Sequence, residues 1–265
     1  MGQQSVFAYL GISPAEKRLP RDLKIAWAIT FGGLVAAFPV YTYLVFGLGM
    51  DRGLVADILA TQVAICYWLG PLSAALPLKG LRQWTRMRRV HMVVVPYLIA
   101  SVLTHFVWEG LWVLLHKSIS ASQNAAWAYP WWGYIDGGDF RYYNPTTDFL
   151  SIEVLSVING VVGAVGLILL FRSKFQRPLG TLMVMTVAVV ETVLTWYYYL
   201  TEILSGFENV NPTFMDLGIK FIFLNAPWLV FPWVVLYWGY HILRVQLAQP
   251  ARDTLPAPRL FTADS

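Results

Sequence analysis

The sequence predicts an all-α protein, a polytopic bundle of about six transmembrane helices. Hydrophobic residues make up 57% of its 265 residues, and charged residues only 13%. The mean hydropathy is +0.54, and the charged residues cluster between long apolar runs. Each run approaches or exceeds the roughly 20 residues that an α-helix needs to cross hydrocarbon. These observations are typical of membrane proteins and argue against an ordinary soluble domain.

Apolar length divides the chain into spans and flanking segments. The predicted spans are 25–48, 55–78, 92–115, 149–171, 179–202 and 218–241. We divide the chain into a cytoplasmic segment 1–24, N-terminal transmembrane helices 25–92, a further helical domain 93–245, and a tail 246–265. The tail contains three prolines and is predicted to be disordered.

Basic residues predict the orientation of the bundle. Fifteen of the 19 Lys and Arg residues lie in the segments 1–24, 79–91, 172–178 and 242–265. With six spans these four segments fall on one side, so the positive-inside rule predicts that both termini are cytoplasmic. These loops also explain the net charge of +4. Because no basic stripe is long enough to form a phosphate-binding groove, we expect no nucleic-acid partner.

Cysteine and histidine usage argues against a metal site. Cys66 is the only cysteine, which excludes disulfides and cysteine metal sites. His91, His116 and His241 fall near the ends of predicted spans, so none is expected at the depth of His105. We therefore predict no bound metal.

The third span contains an ionisable pair, His105 and Glu109. Residues four apart meet on one face of an α-helix. Trp108 shares that face. A charge within hydrocarbon costs at least about 2.5 kcal/mol, so such residues by default indicate a functional site. The alternative is a polar pair that only holds helices together.

Polar residues of three other spans are expected at a similar depth. At 1.5 Å per residue, they lie within roughly 15 Å of the outer end of their spans. They are Glu153 in span four, Tyr198 and Glu202 in span five, and Asn225 and Trp228 in span six. We therefore expect these groups to converge. Glu191, deeper in span five, is either a helix-packing residue or an added pocket residue.

Five motifs occur in order along the second half of the chain. They are His105-Phe-Val-Trp-Glu109-Gly110, Gly138-Asp139-Phe-Arg141-Tyr142, Glu153, Tyr199-Leu-Thr-Glu202, and Asn225-Ala-Pro-Trp228-Leu-Val-Phe-Pro232. This series resembles the emopamil-binding protein family, the sterol Δ8–Δ7 isomerases of the EXPERA superfamily, over roughly residues 93–245. The resemblance implies a five-helix membrane core around a sterol cavity, to which this chain adds a span near its N-terminus.

The resemblance implies a double-bond shift without redox chemistry and without a cofactor. A proton adds at sterol carbon 9, a carbocation forms at carbon 8, and a proton leaves carbon 7. His105, Glu109 and Glu153 are then the catalytic candidates, and Asn225 and Trp228 contact substrate. From their positions we add three substrate-binding candidates, which are Trp108, Tyr198 and Glu202.

The same resemblance implies the surroundings of the protein. Its partners are a sterol substrate and the lipid bilayer, with lipophilic amines as inhibitors. In a eukaryote it would lie in the endoplasmic reticulum membrane. A homodimer is left open.

Three other functions stay open at this point. A non-catalytic sterol- or amine-binding protein, similar to the sigma-2 receptor of the same superfamily, would also carry acidic residues in a bundle cavity. A related isomerase could act on triterpenoids. A small transporter with a proton relay is a third alternative, and the lack of an internal repeat argues against it.

Overall fold

The computed structural model describes residues 5–13 and 18–248, which form helices, turns and loops without a strand. Six of the described segments are long and apolar enough to cross a membrane. They are Arg21–Phe46, Arg52–Leu72, Arg86–Ser120, Thr147–Arg172, Pro178–Leu204 and Phe214–Leu247. The predicted all-α class and six spans are therefore confirmed. The prediction of disorder for the tail falls mostly on residues 249–265, outside the described part of the chain.

We number the α-helices in chain order. They are α1 (Val6–Leu10), α2 (Arg21–Phe46), α3 (Arg52–Leu72), α4 (Arg86–Thr104), α5 (Leu111–Ser120), α6 (Tyr129–Ile135), α7 (Thr147–Arg172), α8 (Pro178–Leu204) and α9 (Pro227–Leu247). Two π-helical segments interrupt the spans: His105–Gly110 joins α4 to α5, and Phe214–Phe223 precedes α9. Short 3₁₀ turns lie at Lys79–Leu81, Ala126–Ala128 and Phe140–Tyr142.

The packing order places the polar spans around one interior. Helix α8 packs extensively against α7 and α9, and α4 contacts α3, α7 and α9. One apolar core surrounds Tyr97 and Trp238, and a second surrounds Trp112 and Phe149. Both cores include large, fully buried side chains, so they hold the spans in a fixed arrangement around the interior.

Helix α2 lies at the edge of the bundle. Only 11% of its most apolar window is buried inside the protein, and its main partner is α3. A side-chain amide joins the two helices, because Gln62 on α3 donates to the carbonyl of Gly33 at 2.9 Å and accepts from the Tyr41 hydroxyl at 2.6 Å. An apolar helix with so little protein contact is suited to a lipid environment.

A proline break separates the last π segment from α9. Pro227 has no backbone N–H, so it cannot donate to the carbonyl of Phe223 four residues earlier. The indole of Trp68 on α3 takes over this role and donates to that carbonyl at 3.1 Å. A freed carbonyl at membrane depth thus receives a side-chain partner, as a spanning helix requires.

We expect the loop between α5 and α6 to lie on the non-cytoplasmic side, because the basic loops lie at the other end of the spans. The substitution Ala126→Thr creates a glycosylation acceptor at Asn124 on an exposed turn, and the natural sequence has none. The double variant Lys174→Asn/Gln176→Thr creates a control acceptor in a basic loop. Expressed in eukaryotic cells, the first variant should gain a glycosidase-sensitive mass and the control should not. The reverse pattern would refute this orientation.

Candidate active site

A large cavity of about 890 Å³ lies among α2, α3, α4, α7, α8 and the last span. Its volume falls in the range of roughly 300–1,000 Å³ that is usual for small-molecule sites. Most of the wall is apolar. The titratable and amide side chains that reach it are His105, Glu109, Tyr134, Tyr142, Glu153, Glu191, Tyr198 and Asn225, with Tyr67. Trp108 and Trp228 also contribute to the wall.

The π segment positions His105 and Glu109. Both side chains line the cavity, and the Nδ1 atom of His105 lies 2.5 Å from Oε2 of Glu109. The His105 side chain is 3% exposed and that of Glu109 is 14% exposed. Single-turn π bulges inside α-helices occur often at functional sites. Glu109 is thus the more accessible member of a closely paired acid and imidazole.

A glycine on α7 allows His105 to sit against that helix. A Cβ atom added at Gly160 would lie only 2.6 Å from Cβ of His105. No side chain can occupy that space without moving the imidazole. Gly160 therefore allows the close approach of these two helices, as small residues do in membrane helix interfaces.

The other ring nitrogen of His105 faces a second carboxyl group. Its Nε2 atom lies 3.2 Å from the hydroxyl of Ser101 and 3.3 Å from Oε1 of Glu191. The hydroxyl of Tyr97 donates to Oε2 of Glu191 at 2.9 Å. Glu191 lines the cavity and is 2% exposed. The imidazole is therefore held between two carboxyl groups.

Glu153 approaches the cavity from α7. Its Oε1 atom accepts a hydrogen bond of 2.7 Å from the Tyr142 hydroxyl. Its Oε2 atom is buried and has no hydrogen-bond partner among the described residues, and the same holds for the indole Nε1 of Trp228. Unsatisfied buried polar atoms are costly and uncommon in native structures. Two of them on one cavity wall indicate places where a polar ligand group could bind.

Aromatic rings form much of the remaining wall. Trp228 packs on Tyr67 with ring centroids 4.6 Å apart, and Trp108 stacks on Trp131 at 5.8 Å. Phe38 of α2 contacts Trp108 at 6.0 Å. A flat, rigid, mainly apolar ligand is complementary to such a wall, and the ring faces attract cations.

Asn225 and Tyr198 belong to a chain of hydrogen bonds that fixes the wall. The amide of Asn225 donates to the Tyr134 hydroxyl at 3.0 Å and to the carbonyl of Phe221 at 2.7 Å. The hydroxyl of Tyr134 lies 2.7 Å from that of Tyr198, which donates to Asp139 at 2.7 Å. This series of hydrogen bonds leads from the cavity to a buried ion pair.

That ion pair joins Asp139 and Arg141 in the loop before α7. Their side chains are 0% and 8% exposed, and Nη2 of Arg141 lies 2.7 Å from Oδ2 of Asp139. Burial raises the pKa of Asp139, and the contacts with Arg141 oppose that rise. Burial alone would lower the pKa of Arg141, but the hydrogen bonds and charge of Asp139 raise it overall. Each charge is therefore tolerated mainly because the other is present, and Oε2 of Glu202 lies 3.5 Å from Nε of Arg141 as a second carboxylate.

The structure brings seven of the eight predicted site residues to the cavity. They are His105, Glu109, Glu153, Trp108, Tyr198, Asn225 and Trp228. Glu202 is the exception, because its side chain does not line the cavity. Its carboxylate is fully buried and accepts hydrogen bonds from the backbone and side chain of Asn209, at 2.8 and 3.0 Å. Glu202 thus fixes the loop after α8. Sequence reasoning could not foresee this, because the depth of a residue in the membrane does not reveal which way its side chain points.

Sequence reasoning did not single out several residues that contact the site. Tyr97, Ser101 and His105 are successive residues at spacing four on one helix face, so this spacing could have revealed Tyr97. Tyr142 is the last residue of the second motif, and its distance from Glu153 along the sequence does not indicate that the two side chains meet. Tyr134 lies in the short helix α6, and no pattern in the sequence identifies it as a site residue.

Among the described residues, no group of three or more His, Cys, Asp or Glu side chains is arranged to hold a metal ion. No family model matches the chain.

Proposed function

We propose that the protein is a cofactor-independent isomerase that moves a ring double bond in a sterol, of the Δ8–Δ7 type. One observation carries the proposal: two separate acid–base systems line one apolar, aromatic cavity within the membrane spans. The first is the Glu109–His105 pair with Glu191, and the second is Glu153 with Tyr142. One such group can deliver a proton at one ring position while the other removes a proton from a second position.

The proposed reaction is balanced without an oxidant or a reductant. A proton adds to carbon 9 of the sterol, and the electron pair of the C8=C9 bond forms the new C–H bond. The resulting cation is centred on carbon 8. A proton then leaves carbon 7, and the electron pair of the broken C7–H bond forms the new C7=C8 double bond. One proton is gained and one is lost, so the product is an isomer of the substrate.

Each site residue has a role in this proposal. Glu109, paired with His105, delivers the proton, and Glu153 stabilises the cation as a carboxylate and takes the proton from carbon 7. Trp228 adds cation–π attraction. Asn225 holds Tyr134 and Tyr198 in place on the wall. An apolar cavity strengthens each of these electrostatic effects because its walls lower the local dielectric constant.

The resemblance to the EXPERA superfamily supports the same proposal for the fold. We propose that α3 and the spans of residues 93–245 form the five-helix core, and that α2 is the added span. The peripheral position of α2, packed mainly on α3, supports this division. In a eukaryotic cell this assembly would belong in the endoplasmic reticulum membrane, where sterol intermediates are available.

The proposal is tested by incubating membranes that contain the protein with a Δ8-sterol. Mass spectrometry after chromatographic separation should detect the Δ7-isomer, which has the same mass and a different retention time. Membranes with the double variant Glu109→Gln/Glu153→Gln are the control. Absence of the Δ7 product with folded protein would refute the proposed reaction. Conversion of a Δ8-triterpenoid alone would assign the related triterpenoid substrate.

A second prediction concerns lipophilic amines. A protonated amine that carries apolar rings resembles the proposed carbocation, so it should bind and compete with substrate. Trp228→Ala should weaken amine binding roughly 2- to 30-fold, as expected for a lost cation–π contact. Glu109→Gln should weaken it as well. Trp233→Ala is the matched control, because this exposed tryptophan of α9 lies outside the cavity wall.

The amine experiment also separates the enzyme from a non-catalytic binding protein. The carboxyl groups of Glu109 and Glu153 on an apolar wall would suit a lipophilic cation in either case. Amine binding together with sterol conversion supports the isomerase. Amine binding by a protein that converts no sterol would favour the binding function. Amines that bind without competing with sterol would place the cation site elsewhere.

A further inference from the structure

Glu191 is a buried carboxyl group whose role the sequence left open. Three donors surround it from the neighbouring span. Tyr97 donates to Oε2 at 2.9 Å, Ser101 donates to Oε1 at 2.5 Å, and Nε2 of His105 lies 3.3 Å from the same Oε1. An ionised carboxylate only accepts hydrogen bonds, so this set of donors matches it.

The hydroxyl of Ser101 determines which ring nitrogen of His105 carries hydrogen. A serine hydroxyl has one proton, and Ser101 donates it to Glu191. Its oxygen also lies 3.2 Å from Nε2 of His105, and in that contact it can only accept. The hydrogen-bond network therefore assigns a proton to Nε2. Oε1 of Glu191 is a second acceptor for the same N–H group.

The transferable proton then lies on the opposite side of the ring. The Nδ1 atom of His105 is 2.5 Å from Oε2 of Glu109, so one proton is shared along that contact. It resides either on Nδ1, beside a carboxylate, or on Glu109, beside a neutral imidazole. Both arrangements keep Nε2 protonated and place the mobile proton next to the cavity that Glu109 lines.

We infer that Glu191 is a positioning residue, which with Ser101 fixes the Nε2-protonated form of His105 and so directs the transferable proton toward Glu109. The inference rests on the proposed isomerase function. Glu191 itself lines the cavity, but the hydrogen bonds beyond it end inside the protein, because Tyr97 is 0% exposed and packs on Phe231 with ring centroids 4.8 Å apart. A second acceptor of this kind can hold the ring without drawing the proton away from the cavity.

Nitrogen-15 NMR of the imidazole rings tests the inference without reference to turnover. The chain has only four histidines, so the His105 signals can be assigned with a His105→Gln variant. In the natural protein Nε2 of His105 should carry a directly bonded proton that exchanges slowly with solvent. In Glu191→Gln this proton should exchange faster, and the ring should populate the Nδ1-protonated form.

Steady-state kinetics supply the second readout. Loss of the group that fixes an imidazole tautomer costs up to about 10⁴-fold in serine proteases. Here Ser101 remains, so we expect Glu191→Gln to lower kcat by about 10²-fold and to change KM by less than about threefold. Thr192→Val is the matched control on α8: its hydroxyl donates to the carbonyl of Ala188, and it lies off the cavity wall. It should leave both constants unchanged.

The outcomes separate this inference from the proposed function. A proton on Nε2 that depends on Glu191, in a protein without sterol conversion, would support the assignment of the ring and refute the isomerase. An Nδ1-protonated neutral ring in the natural protein would overturn the inference even if Glu191→Gln does not fold. Normal turnover in a folded Glu191→Gln variant would overturn it as well.

Discussion

Replacing Glu109 by glutamine should abolish sterol conversion while leaving sterol binding nearly intact. Glutamine keeps the size of the side chain and can still form a hydrogen bond with His105, but it cannot release a proton. Loss of a general acid typically costs about 10²–10⁴-fold in rate. Because Glu109 lines an apolar cavity, water is poorly placed to substitute, and we expect the upper part of that range. The loss should appear in kcat, with KM nearly unchanged.

The matched control is Glu202→Gln, which makes the same substitution at a carboxyl group off the cavity wall. Its turnover per folded molecule should equal that of the natural protein. Sterol binding to both variants can be measured by displacement of a fluorescent sterol in detergent micelles. Full activity of Glu109→Gln would assign proton delivery to Glu153 and would leave the π segment a packing role.

The largest effect on stability is expected from Asp139→Ala. This change removes the nearest carboxylate from Arg141, whose side chain is 8% exposed, and leaves only Glu202 among the described residues, with Oε2 at 3.5 Å from Nε, to pair with the buried charge. Breaking a buried ion pair by removing one partner costs about 3–5 kcal/mol. It also removes the acceptor for the Tyr198 hydroxyl, so the hydrogen bonds that hold the cavity wall beside Asn225 lose one partner. At roughly 2–4 °C per kcal/mol, thermal unfolding in detergent should occur about 6–20 °C lower.

Asp136→Ala is the matched control for this prediction. Asp136 lies in the same loop and pairs with Arg52 at 2.7 Å, but the side chains of Arg52 and Asp136 are 24% and 27% exposed. Pairs this accessible contribute about 0–1 kcal/mol. The control should therefore unfold within about 4 °C of the natural protein. Equal shifts in unfolding temperature for the two substitutions would mean that the buried Asp139–Arg141 pair stabilises the protein no more than the exposed pair does.

The spans were accessible to sequence reasoning because each needs only length and apolarity. The predicted span 149–171 lies within two residues of α7 at each end, and 179–202 lies within two residues of α8. The third and sixth spans are longer than predicted, since Arg86–Ser120 and Phe214–Leu247 continue into polar ends. A hydropathy pattern fixes the apolar centre of a helix and leaves its termini open.

The π segments could not be predicted in this way. Hydrophobic periodicity does not report a single wider turn, and the spacing of His105 and Glu109 reads as ordinary α-helix. The contact of Glu191 with His105 depends on how α8 is rotated toward α4, which packing across the bundle decides. The same dependence explains why Glu202 turns toward Asn209 instead of the cavity.

The residue types of the site were easier to predict from the sequence than their arrangement in space. An acid and an imidazole at spacing four met as predicted, because helix geometry alone brings them together. Glu153 comes from the fourth span and Asn225 and Trp228 from the sixth, and their convergence depended on agreement in depth. The partners that hold these groups, such as Tyr142 and Tyr134, lie in the segment between the third and fourth spans, whose path no local pattern encodes.

The measurement that tests the central claim most directly is the isomerisation run in D₂O with a Δ8-sterol. We expect the Δ7 product to carry one deuterium at carbon 9, because the new hydrogen comes from an exchangeable group of the enzyme. Deuterium NMR or fragment mass spectrometry locates the label, and product isolated from H₂O is the reference. A Δ7 product without deuterium at carbon 9 would contradict protonation by Glu109 and His105, and so would the absence of any product.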